Sequence, residues 1–304
     1  MRLIASAGLE MVGDRLHRSD RLMSMSSRRL SCLGPHGFHR MTYYEWAGPA
    51  GAPTVLCVHG LTRNGRDFDD LAQALTPHFR VVCPDVAGRG KSDWLIHAED
   101  YNYPLYLADM VALIARLDVE ELLWVGTSMG GLIGMLMAAT SGNPIKRLVM
   151  NDVGPLLAKE GIQRIGDYVG KDPSFPSLEA LEAHIRGTSA GFGALTDAQW
   201  RAMATHMARR GPDGTLRLAY DPKIADVFRT LPNEDIDLWA QWDAITCPTL
   251  VLRGAESDLL RPADAKAMTE RGPRATLIEY PGIGHAPSLR SEDQISAVRN
   301  FLLG

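Results

Sequence analysis

The stretch Glu121-Leu-Leu-Trp-Val-Gly-Thr-Ser-Met-Gly-Gly-Leu-Ile-Gly134 decides the fold. Its first part, Leu122–Val125, is an unbroken apolar run, the pattern of a strand buried on both faces. Its second part opens a small-residue helix predicted over Gly130–Ala139. Between them Gly126-Thr-Ser128-Met-Gly130 forms a GxSxG pattern. A sharp strand-to-helix turn lifts the serine hydroxyl above the sheet, and glycines two before and two after leave room where backbones crowd. The helix start adds free N–H groups and a dipole that favours a developing anion. A serine that merely caps a helix needs no glycine at both flanks.

Similar runs recur on either side. Thr54–Val58, Arg80–Cys83, Arg147–Met150, Thr249–Leu252 and Ala275–Tyr280 read as buried strands, and Arg29–Leu33 with Phe38–Trp46 as a hairpin around Gly34-Pro35-His36-Gly37. Helical patterns lie between them at Arg66–Leu75, Pro104–Leu117, Pro262–Arg271 and Ser291–Leu303. This alternation predicts an α/β architecture, a mostly parallel eight-stranded sheet with helices on both faces. From Pro155 to Ala244 the reading finds helices without strands: Ser177–Gly187 with Ser177 as N-cap, a capping box at Thr196-Asp-Ala-Gln199 opening a helix to about Arg209, and Asp235–Trp242. The expected organisation is a core over 28–154 and 245–304, a helical cap over 155–244 inserted after the sixth strand, and a disordered leader over 1–27. A start codon placed too early, with Met23, Met25 or Met41 as the true start, is the alternative account of that leader.

Composition narrows the function. The 304 residues are 45% apolar and 22% charged, and 32 basic against 36 acidic residues leave a net charge of −4, which gives no electrostatic case for nucleic acid or an anionic membrane. Cys32, Cys57, Cys83 and Cys247 form no CxxC pair and read as free thiols of a reducing, cytoplasmic compartment. The uncharged run Leu122–Ile145 is long enough to span a bilayer, but its glycines, Asn143 and Pro144 favour strand, turn and helix. The N-terminal stretch fails the secretory pattern, since its short apolar segment is followed by Glu10 and Asp14. No phosphate loop, metal-ligand spacing or dinucleotide fingerprint is present, so no cofactor or metal is expected.

Ligands of such sheets bind beyond the carboxyl ends of the strands. A serine there needs a base, and His285, in Gly282-Ile-Gly-His285 after the last strand, is the candidate. The base needs a carboxylate to fix its tautomer. Asp258, after the next-to-last strand, is preferred; Asp152, after the strand following the serine, competes, and Glu256 is a distant third. Chain order does not separate Asp258 from Asp152. The tetrahedral oxyanion needs two donors, expected from the N–H groups of Leu61 and Met129. His59 ends a strand and reads as a structural or oxyanion-loop residue, while His36 and His39 sit in a hairpin without an acidic partner pattern. Arg63 and Arg66 read as a solvated loop.

Four pieces in this order, His59-Gly60-Leu61, Asp85-Val-Ala-Gly-Arg-Gly-Lys-Ser92, Gly126-Thr-Ser128-Met-Gly130-Gly131, and Asp258 with Gly284-His285, resemble the α/β-hydrolase superfamily. The resemblance covers residues 28–304 and is to the branch with a helical cap, which holds esterases, lactonases and carbon–carbon bond hydrolases. It implies Ser128 as nucleophile, His285 as base then acid, Asp258 as orienter, and a structural role for Asp85–Ser92. Dehalogenases and epoxide hydrolases of this kind carry Asp at the nucleophile, unlike Ser128. The loop His59-Gly-Leu-Thr-Arg weakens a meta-cleavage-product hydrolase, and cofactor-free perhydrolases share the triad. The expectation is a serine carboxylesterase acting on a small-molecule ester, as a monomer or homodimer. A lactonase, C–C hydrolase or perhydrolase is the alternative, and a non-catalytic ligand-binding protein comes last. Phe192, Trp200 and Met203 are the candidate substrate contacts, with Leu156, Ile162, Ile165 and Met207 on the same apolar stripe.

Overall fold

The computed structural model describes residues 25–231 and 233–304; residues 1–24 of the expected leader lie outside these. In chain order the core opens with β1 (Met25–Gly34), β2 (Gly37–Trp46), β3 (Thr54–Val58), α1 (Asp69–Leu75), β4 (Arg80–Pro84), α2 (Tyr103–Leu117), β5 (Leu122–Thr127), α3 (Met129–Ala138) and β6 (Ile145–Asn151). The chain then leaves the sheet for β7 (Leu156–Leu157), α4 (Lys159–Tyr168), α5 (Leu178–Thr188), α6 (Asp197–Met207), β8 (Ala208–Arg210), β9 (Leu216–Leu218), α7 (Ala225–Thr230), β10 (Ile236–Asp237) and α8 (Trp239–Asp243). It returns with β11 (Thr249–Gly254), α9 (Pro262–Glu270), β12 (Thr276–Tyr280) and α10 (Glu292–Leu303).

Eight strands form one sheet in the order β1-β2-β4-β3-β5-β6-β11-β12. From β4 to β12 every pairing is parallel, and β2 runs antiparallel to both β1 and β4. The unbroken apolar runs follow from this layering, because successive strand residues face opposite sides. Leu56 and Val58 join the core under α2, α3 and α9, whereas Val55 and Cys57 join the one under α1 and α10. Cys32, Cys57 and Cys83 are buried free thiols. Among the described residues no helix is long and apolar enough to cross a membrane.

Three expectations need correction. The leader boundary at residue 27 is too late, since Met25, Ser26 and Ser27 already pair with Trp46, Glu45 and Tyr44. Met41 lies inside β2 as a fully buried core residue. The insertion is not free of strands: β7 pairs with β10, and β8 with β9, in two short antiparallel ribbons. Its expected last helix is therefore split, with Ile236-Asp237 in β10 and only Trp239–Asp243 helical, started by Asp237 accepting from the Trp239 N–H at 2.8 Å. The capping box at Thr196 forms, and Ser177 caps α5. Leu181, Ile185, Trp200, Met203 and Met207 give the insertion its own small core.

Candidate active site

β5 and β6 run side by side with Thr127 opposite Asn151, so the next residue on each, Ser128 and Asp152, emerges together at the sheet's carboxyl edge. Ser128 takes φ 52° and ψ −114°, the strained turn that the flanking glycines permit. A Cβ on Gly126 would sit 2.2 Å from the Gly130 carbonyl oxygen, and one on Gly130 1.9 Å from the Val58 carbonyl oxygen. The Ser128 N–H donates to Asn151 O at 2.9 Å, and its carbonyl accepts from the N–H groups of Gly131 and Leu132.

His285, after β12, spans the two strand ends. Its Nε2 lies 3.0 Å from Ser128 Oγ and its Nδ1 2.7 Å from Asp152 Oδ2. A carboxylate only accepts, so Nδ1 carries the proton and Nε2 is left to accept from the serine hydroxyl. Asp152 is fully buried, and its other oxygen accepts from the Gly254 N–H at 3.0 Å. Asn151 Nδ2 donates to Pro287 O at 2.8 Å and to Thr127 Oγ1 at 3.0 Å, which ties the histidine loop to the serine turn.

The carboxylate on His285 is thus Asp152 and not Asp258. Asp258 is turned outward, its side chain 56% exposed and ion-paired with Arg164 of α4 at 2.6 Å. The loop after β11 touches the histidine loop through the Glu256 N–H, which donates to Ile283 O, but Asp258 itself points to Arg164. Glu256 is also exposed.

Leu61 follows the end of β3 by three residues, and Met129 opens α3 directly after Ser128. Among the described residues neither N–H has a protein acceptor. Sequence reading passed over the residue that joins them. Arg89, fully buried, donates from Nε to Leu61 O at 2.8 Å and from Nη1 to Ala87 O and Tyr106 Oη, while Nη2 rests 3.5 Å from Met129 Sδ. It has no carboxylate partner among the described residues, so its charge rests on carbonyls and on the faces of Tyr101 and Tyr106. The signal was present as a lone arginine between two glycines in Gly88-Arg-Gly90.

His59 is structural. Its Nε2 accepts from the Val86 N–H, its Nδ1 donates to Gly60 O, and burial pushes its imidazole down to about 4. Asp85 accepts from the N–H groups of Gly65 and Lys91 and from Tyr44 Oη, and burial raises its carboxyl to about 6. Both hairpin histidines do have acidic partners, which come from distant segments: His39 bonds Asp109 of α2 at 2.9 Å, and His36 bonds Asp100 at 2.8 Å. Donor atoms of Cys32, His39 and Asp109, and separately of His36, His97 and Glu99, lie within 4.8 Å of one another. Within these groups His39 bonds Asp109, and His97 lies 3.6 Å from Glu99.

Arg63 and Arg66 are not a solvated loop: each is held by its own carboxylate, Asp67 and Asp69, at 2.6 Å. Of the candidate substrate contacts, Phe192 and Met203 line a cavity beside the serine turn, together with Thr127 and Ala286. Trp200 does not line it and packs within the insertion's own core under Arg186. Ile162 faces a separate cavity between α4 and α7.

The fold is shared with known proteins. Residues 55–298 match the family model described as the alpha/beta hydrolase family. A "3-hydroxybutyrate-oligomer hydrolase" of Cupriavidus necator is 46% identical over 292 residues, covering 93% of this chain and all of the relative. A "pimeloyl-[acyl-carrier protein] methyl ester esterase" of Xanthomonas campestris is 27% identical, covering 82% of this chain and 95% of that protein. The crystal structure of an alpha/beta hydrolase from Novosphingobium aromaticivorans superimposes with a TM-score of 0.82 at 36% identity, covering 92% of this chain and 98% of that one. The chain belongs to the alpha/beta hydrolase family.

Proposed function

We propose that this α/β hydrolase is a carboxylic ester hydrolase that cleaves short oligomers of 3-hydroxybutyrate through an acyl-enzyme on Ser128. The observation that carries the reading is the unbroken relay from Asp152 through His285 to Ser128, with contacts of 2.7 and 3.0 Å. The oligomer as substrate rests on the Cupriavidus relative, whose whole length this chain covers at 46% identity.

In the reaction Ser128 Oγ attacks the ester carbonyl as its proton passes to His285 Nε2, and Asp152 stabilises the imidazolium through Nδ1–H. The Leu61 and Met129 N–H groups hold the oxyanion, each such donor contributing about 3–4 kcal/mol of transition-state stabilisation. His285 returns the proton to the leaving alkoxide, which departs as the alcohol and leaves the acyl group on Ser128. Water, deprotonated by His285, then attacks the acyl carbon; collapse releases the acid and restores the serine hydroxyl. The Ser128→Ala variant should lose at least about a thousandfold in kcat/KM on both a chromogenic short-chain ester and the hydroxybutyrate dimer. Equal rates in variant and wild type would remove Ser128 from the chemistry.

A further inference from the structure

The cavity beside the serine turn measures about 40 Å³. At roughly 10–15 Å³ for each water-sized occupant, it admits a group of about three heavy atoms. Two guanidinium groups, of Arg63 and Arg290, line it together with the Asp67 carboxyl and Ser288. The two guanidinium groups differ in what they have left to offer. Arg63 is spent on Asp67 through paired contacts of 2.6 and 2.7 Å. Burial works to raise the Asp67 carboxyl, but the charge of Arg63, followed by that of Arg290, holds it below the usual range.

Arg290 is 95% buried by its side-chain exposure of 5%, yet only Nη1 has a protein acceptor among the described residues, Asp70 Oδ2 at 2.8 Å. Asp70 is itself one-third exposed and shared with Gln199 Nε2 at 3.3 Å. A guanidinium carries five donors in a planar fork that fits a carboxylate. With Nε and Nη2 left without a protein acceptor among the described residues, Arg290 keeps donors to offer a carboxylate in a cavity of that size.

We propose that Arg290 binds a free carboxylate of the substrate, which makes the preferred substrate an ester with an acid terminus rather than a neutral ester. This deepens the ester-hydrolase reading and rests on it. Thr127 and Ala286 adjoin Ser128 and His285, so the cavity begins one residue from the reacting groups on each side. Phe192 and Met203 supply its apolar walls. A hydroxy-acid dimer carries its carboxylate a few bonds from the ester oxygen.

The test compares kcat/KM for a 3-hydroxy-acid dimer as the free acid and as its methyl ester, with a short neutral ester alongside. Wild type should favour the free acid by about ten- to a hundredfold. Arg290→Gln should bring that ratio close to one, and Arg290→Lys should restore part of it. Wild type that cleaves the neutral ester and both dimer forms with a ratio of one or below overturns the subsite and leaves the ester-hydrolase reading intact. An unchanged ratio in Arg290→Gln also overturns it. If that variant fails to fold, the wild-type ratio still decides. Wild type that cleaves no ester contradicts both readings.

Discussion

Ser128 and Asp152 both sit at positive φ, 52° and 57°, a region that costs a residue with a side chain about 1–3 kcal/mol. Each is held there by a backbone bond across the sheet, Ser128 N–H to Asn151 O and Asp152 N–H to Leu252 O. His59 bears a different burden. Burial lowers its imidazole from 6.5 to about 4, so between those values the unfolded chain takes up a proton that the native state refuses. Stability from this residue is complete above pH 6.5 and is lost as pH falls toward 4, by about 3 kcal/mol in total. An NMR titration should find this imidazole neutral at pH 5.5; half-protonation near 6.5 in the folded protein would contradict the account. Ser128 was legible in the sequence because its flanking glycines have a local steric cause, and His285 because it follows the last strand in a glycine-rich loop. The acid was not, because choosing between Asp152 and Asp258 depends on which loop turns inward. That depends on contacts such as Arg164 with Asp258, which link residues 94 positions apart.

At the scale of elements, the turn between β5 and α3 is set by close backbone approach. A methyl on Gly130 meets the Val58 carbonyl at 1.9 Å, and backbone cannot yield as the end of a flexible side chain can. Gly130→Ala should therefore lower the unfolding free energy by about 3 kcal/mol or more, beyond the upper range of ordinary overpacking. Gly187 in α5 is the counterpart, with ordinary φ and open space around its Cβ position. Gly187→Ala should stabilise by about 0.5–1 kcal/mol through helix propensity. Urea midpoints for the two variants should move in opposite directions; an unchanged midpoint for Gly130→Ala would refute the steric argument. The sheet strands were legible because burial on both faces writes a continuous apolar run. The ribbons β7–β10 and β8–β9 were not, because two or three residues are too few for any periodicity. Their pairing is set by the packing of the insertion, and Asp235–Trp242 read as a helix for the same reason.

Across the whole molecule, the relay joins residues 133 and 157 positions apart, each delivered by a different strand to one edge of the sheet. The core places them, Arg89 binds the loop after β3 to the start of α3, and the insertion closes the cavity over Thr127 and Ala286. The carboxylate beside His285 therefore comes from the end of β6, not from the loop after β11. The most direct measurement is kcat/KM on a chromogenic short-chain ester for Asp152→Asn and Asp258→Asn side by side. The account predicts a loss of about three to four orders of magnitude for Asp152→Asn, as the imidazole loses its tautomer, and a change within about twofold for Asp258→Asn. A harmless Asp152→Asn beside a crippled Asp258→Asn would contradict it.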